Sequence, residues 1–257
     1  MKKLVAAGLL LLVAGCANNA SDPANYVPKT VEDSDAQSRA RIHSELAAGY
    51  YELGNYGVAL QEAAESLKAD PDYVPAFSVL GLVYMELRDD KAAEGNFQRA
   101  LRISPYDSDV NNNYGWFLCQ RKREQESIKY FLAALRNPLY TTPDKSWVNA
   151  GICARQAGDL AAADEYFTKA LKVRPTEAQA LYQLADMEYK RRNYPASKAY
   201  LVRMQRDVEP SAALLALSLC VERALGDRNA EASLGFQLRK NFPDSRQARA
   251  VAAGQCE

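Results

Sequence analysis

The chain is poor in the groups that most enzymes and metal sites require. A single histidine, His43, stands among 257 residues, and the five cysteines show no C-x-x-C spacing. A zinc site and a histidine-activated nucleophile are both short of material, so no metal, no cofactor and no catalytic residue is expected. His43 reads as a packed ring. Charge of one sign is lacking too: 32 basic side chains are balanced by 32 acidic ones, which excludes the one-sided field that binding to nucleic acid or to anionic lipid needs. Beyond the N-terminal region no apolar run is long enough to cross a bilayer.

What is abundant is repetition. In residues 74–107, Phe77, Leu80, Gly81 and Tyr84 recur at the i, i+3, i+4, i+7 spacing of one helix face, and Ala93, Phe97, Ala100 and Leu101 do the same. The polar turn Arg88-Asp89-Asp90 separates them, and Pro105 ends the unit. Gly81, Ala93 and Ala100 are the small residues that let two helices approach closely. Shifting the chain in steps of about 34 residues returns the same marks. The repeats lie near 40–73, 74–107, 108–143, 144–177, 178–211 and 212–245, with a capping helix over 246–257. Among the marks are Ala47 and Gly54, Gly115 and Phe131, Gly151 and Phe167, Ala185 and Leu201, and in a degraded sixth unit Leu217 and Gly226. This pattern resembles tetratricopeptide-repeat proteins. The fold class expected is all-α, a solenoid of about six helix-turn-helix repeats in a right-handed superhelix over residues 39–257. Each hairpin has an apolar flank that only a neighbour covers.

At the other end, Met1-Lys2-Lys3 is positively charged and Leu4 to Ala14 is a short apolar stretch, together a secretory signal. Val13-Ala14-Gly15-Cys16 resembles a bacterial lipobox, which implies a signal peptide over 1–15 and a lipidated Cys16. Residues 16–38 are polar and read as a tether. The residue after Cys16 is Ala17 and not Asp, which implies a lipid-anchored position in the outer membrane, facing the periplasm.

Cys119, Cys153, Cys220 and Cys256 remain. First helices of successive repeats lie side by side, so Cys119 and Cys153 are placed either to bridge repeats three and four or to stay buried as thiols. Cys220 and Cys256 either fasten the terminal helix or do the same. Groove-facing offsets of the first helices carry Tyr51, Leu82, Met85, Trp116, Val148, Ile152, Tyr182 and Tyr189. Apolar and aromatic residues on a face that would normally be solvated suggest a partner-binding groove, with about half of them exposed. Asn113 and Asn149 occupy matching offsets; they either offer two amides to an extended backbone or bond each other. The Lys and Asn arrangement that clamps a chaperone's acidic tail is absent, since Ser44, Ala48 and Val79 stand at its positions.

A lipobox, a short tether, six such repeats and the run Asn111-Asn112-Asn113-Tyr114-Gly115-Trp116-Phe117-Leu118-Cys119 resemble the type IV pilus biogenesis lipoproteins of the PilF and PilW kind. The resemblance implies a pilotin or pilus-stability factor in the outer membrane. Its implied partner is a protein of the pilus machinery, the secretin first, and no nucleic acid. Lipid-anchored repeat proteins of this general type also serve as adaptors for peptidoglycan enzymes, which is the alternative.

Overall fold

The computed structural model describes residues 35–205 and 209–256. Cys16, the signal and residues 16–34 of the tether lie outside the described residues. Thirteen α-helices and no strand occur among the described residues. They pair as α1 (Asp35–Glu52) with α2 (Tyr56–Ala69), α3 (Val74–Glu86) with α4 (Asp90–Ile103), and α5 (Ser108–Gln120) with α6 (Glu124–Ala134). Then come α7 (Pro143–Gln156) with α8 (Leu160–Val173), α9 (Ala178–Lys190) with α10 (Tyr194–Met204), α11 (Ala212–Leu225) with α12 (Arg228–Asn241), and α13 (Arg246–Ala252). Residues 35–38, read from composition as tether, are the first turn of α1.

One turn recurs in all six hairpins. Gly54, Arg88, Lys122, Gly158, Arg192 and Gly226 each take a left-handed conformation, with φ between 58° and 82°. The next residue's amide then returns to the carbonyl five residues back, as in Asn55 to Tyr50 at 2.8 Å, Arg123 to Leu118 at 3.0 Å and Asp227 to Glu222 at 3.0 Å. This closes the first helix with its orphan carbonyls satisfied. In four hairpins the same residue opens the second helix, the side chains of Asn55, Asp89, Asp159 and Asp227 accepting from amides of the first turn.

Within each hairpin the helices meet at one crossing. An added Cβ on Gly81 would lie 2.6 Å from the ring of Phe97; on Gly115, 2.9 Å from that of Phe131; on Gly151, 2.6 Å from that of Phe167. All three rings are fully buried. Repeat five sets Ala185 near Leu201 in one core cluster, and repeat six sets Leu219 against Gly235. Between hairpins the clusters run on: Phe97 of α4 packs with Tyr114 and Phe117 of α5, at ring separations of 5.7 and 5.8 Å. The buried side of α3 differs from the periodic reading, for Ala76, Val79 and Val83 are sealed while Phe77, Leu80 and Tyr84 are half-buried. First helices pack against their own partner and against first helices on either side, so two flanks are covered and the one-stripe pattern of a surface helix does not apply.

Candidate functional site

First helices supply the residues assigned to a groove, and the structure sorts them into three groups. Met85 and Val148 are 7% and 6% exposed and belong to the cores between repeats. They were assigned to the groove by offset alone, and the adjoining first helix covers them. Leu82, Trp116 and Ile152 hold equivalent positions on α3, α5 and α7 and are half-buried, one large apolar residue at the same place in each of three successive repeats. Tyr51, Tyr182 and Tyr189 are also half-buried, and burial is the first cause that raises each phenol's pKa, that of Tyr51 to about 12 with Glu86 adding to it. These rings act as neutral hydrogen-bonding surfaces. Of the eight apolar and aromatic groove residues, of which half were expected to be exposed, six are half-buried and two are buried.

The asparagines make a ladder along the same face. Asn149 Nδ2 and Ser146 Oγ both donate to Asn112 Oδ1, at 3.1 and 2.9 Å. Asn112 Nδ2 donates to Asn113 Oδ1 at 3.3 Å, and Asn113 Nδ2 donates to Ser78 Oγ at 3.1 Å. Asn113 and Asn149 therefore join through Asn112 rather than bonding each other directly. The ladder ties α3, α5 and α7 together, and each half-buried amide in it is partnered. Asn111 points the other way, buried and donating to the carbonyls of Pro105 and Asp107.

His43 is not a sealed ring. It is half-exposed, with Nδ1 2.7 Å from Glu62 Oε2 across the first hairpin. The sulfurs of Cys119 and Cys153 lie within bonding distance with Cα atoms 5.8 Å apart, and those of Cys220 and Cys256 likewise at 5.6 Å, separations that fit a disulfide.

One surface escaped the reading of the residues. Ile42 and Leu46 on α1 and Leu53 in the turn after it are 48%, 44% and 80% exposed and line an open apolar depression with Gly49 and Tyr50. The repeat pattern gives Leu46 a packing position, but among the described residues no hairpin precedes repeat one to pack against it. The position of the unit within the array was the available signal.

The tetratricopeptide-repeat family model matches residues 45–108 and 148–207. The chain is 29% identical to the type IV pilus assembly protein PilF of Pseudomonas aeruginosa over 240 residues, covering 93% of this chain and 94% of PilF. The crystal structure of PilW, a widely conserved type IV pilus biogenesis factor, superposes with a TM-score of 0.74 at 32% identity, covering 83% of this chain and 98% of PilW. A solved structure of Pseudomonas aeruginosa PilF gives a TM-score of 0.78 at 27% identity, covering 86% of this chain and all of that one.

Proposed function

Because the chain belongs to the type IV pilus biogenesis family of PilF and PilW, we propose that it is a lipid-anchored scaffold of the outer membrane that holds the secretin while the ring is delivered or assembled. The lipobox at Cys16 supports the anchor: one acyl chain holds marginally, so the several chains of such lipoproteins would make it durable. The two cysteine pairs are read as disulfides of an oxidising compartment; peptide mapping without reductant should recover Cys119 with Cys153 and Cys220 with Cys256, and free thiols there would count against periplasmic residence.

The observation that carries the partner reading is the row Leu82, Trp116 and Ile152. A water-facing side of a helix is ordinarily polar, whereas three successive first helices each present a large apolar residue at one position, beside a ladder that fixes their spacing. A rigid row lowers the ordering cost that the partner must meet on binding. The apolar flank of repeat one supports a second docking surface, since three large aliphatic residues, two on α1 and one in the turn after it, stand in solvent together. Full-length protein carrying Leu82→Arg with Ile152→Arg, or Leu46→Arg with Leu53→Arg, should be expressed in a strain lacking the gene, and secretin multimers followed in outer-membrane fractions. Loss of multimers with the first pair supports the row, and loss with only the second moves the seat to repeat one. Normal multimers in the deletion strain itself remove the secretin role, and co-purified wall hydrolases would favour the peptidoglycan adaptor.

A further inference from the structure

At the far end of the first-helix face lies a cleft of about 480 Å³. Tyr182 and Tyr189 of α9 form one wall, Ala213, Ala216 and Leu217 of α11 the floor, and α13 the opposite wall. That third wall makes the cleft a dead end. α13 packs on α11 and α12 where the first helix of a seventh repeat would go, and the tail after it is held across the end. Tyr189 Oη donates to the Cys256 carbonyl and Arg223 to the Gly254 carbonyl, both at 3.4 Å. An extended chain lying along the groove therefore has to stop or turn there.

The charge at the mouth is one-sided, unlike that of the protein as a whole. Arg246 and Arg249 of α13 line the cleft, are exposed, and have no carboxylate partner among the described residues; Arg249 donates only to the Asp244 carbonyl, at 2.6 Å. Among the described residues that line the cleft the one carboxylate, Asp186, is already held by Arg155 and by Lys190 at 3.0 Å. Two arginines without carboxylate partners thus stand across the cleft from one engaged anion, over an aliphatic floor beside the two neutral tyrosines of α9. An anion joined to an apolar group satisfies both parts: the guanidinium forks bind a carboxylate bidentately, and the floor accepts a side chain.

We propose that this cleft captures the C-terminus of a partner polypeptide whose last residue is apolar, the α-carboxylate held by Arg246 and Arg249 and the side chain seated between Tyr182 and Tyr189. A chain end fits a closed cleft better than an internal acidic residue does, because nothing has to continue beyond it. The proposal takes from the preceding reading only that the ligand is a polypeptide. Its test uses neither secretin nor pili, so either can fail alone.

The test is fluorescence polarisation on the full-length protein in detergent micelles, with a labelled Gly-Ser-Gly-Ser-Ala-Phe peptide as the free acid, as its C-terminal amide, and with an internal Phe-Glu followed by an amidated Gly-Ser-Gly. The free acid should bind at least about tenfold more tightly than the amide, the scale of one lost charge-assisted pair. Arg246→Gln with Arg249→Gln should erase that difference, and because both side chains are exposed the circular dichroism should stay unchanged. Absence of binding by the free acid, equal binding of acid and amide, discrimination that survives in the double variant, or equal binding of the internal acidic peptide would each overturn it.

Discussion

Repeats two to four and repeat six fill the same crossing with bulk on opposite sides. In α3, α5 and α7 the first helix carries glycine, at 81, 115 and 151, and the second helix carries the phenylalanine that lies against it. In repeat six the first helix carries Leu219 and the second carries Gly235, with an added Cβ only 3.4 Å from Leu219 Cδ1. Repeat five stands between them with Ala185 and Leu201, and repeat one has alanine on both sides, Ala47 and Ala63, all four buried. From repeat two to repeat six the volume shared across the crossing is maintained more faithfully than the residue at either position, as expected where close packing and not a particular side chain sets the helix separation, and only repeat one, with its two alanines, is smaller. A unit that looks degraded by motif is intact by volume.

The largest way to break this symmetry is to add bulk on the small side of a central crossing. Gly151→Ala puts a methyl 2.6 Å from the fully buried ring of Phe167, a ring with no empty space to move into. A loss of about 2 kcal/mol is expected, the range of overpacking, readable as a lower midpoint in urea unfolding. Adding Phe167→Leu recreates the Ala185 and Leu201 pair of repeat five and should recover more than half of that loss. Strictly additive losses in the double variant would mean that the two positions do not share one volume.

This explains how much was legible in the residues. The period of about 34 residues located six hairpins, because the small and large marks of the central units, Gly with Phe at fixed spacing, fit two helices in contact and recur in weaker form in the outer ones. Residues 35–38 escaped because Asp35, Gln37 and Ser38 are polar and α1 starts with an exposed turn. Offsets alone could not separate Met85 and Val148 from Leu82 and Ile152, since that depends on how far the adjoining first helix reaches. The ladder running through Asn112 was hidden for a related reason: neighbours on one helix are about 100° apart, so the residue that spans a junction is fixed by helix rotation and not by equal offsets. The cleft beside α13 required the tail to be placed against Tyr189.

The hairpin turn is the control for the comparison, since repeats four and six agree there although they differ at the crossing. Gly158 and Gly226 have φ of 82° and 80°, whereas repeats three and five hold Lys122 at 58° and Arg192 at 61°. A side chain in the left-handed region costs about 1–2 kcal/mol. Gly158→Ala and Gly226→Ala should each lose about 1 kcal/mol. Arg192→Gly, which removes strain but adds freedom to the unfolded chain, should gain about 0.5 kcal/mol. Unequal losses at the two glycines would show that the difference between central and terminal repeats extends into the turn.

The smallest effect is the most discriminating, because it reverses the sign of the first. Gly235→Ala is the same chemical change as Gly151→Ala on an equally helical backbone, but its methyl would meet Leu219 Cδ1 at 3.4 Å, an ordinary contact, and Arg239 Nη1 at 3.2 Å. The latter is the far end of a flexible side chain and can swing aside. With the steric cost removed, what remains is helix propensity, which favours alanine over glycine by about 0.8–1 kcal/mol. A gain of about 0.5 kcal/mol is expected after the small adjustment of Arg239. If Gly235→Ala instead loses as much as Gly151→Ala, Leu219 fills the crossing as rigidly as Phe167 does, and the end of the array is packed as tightly as its middle.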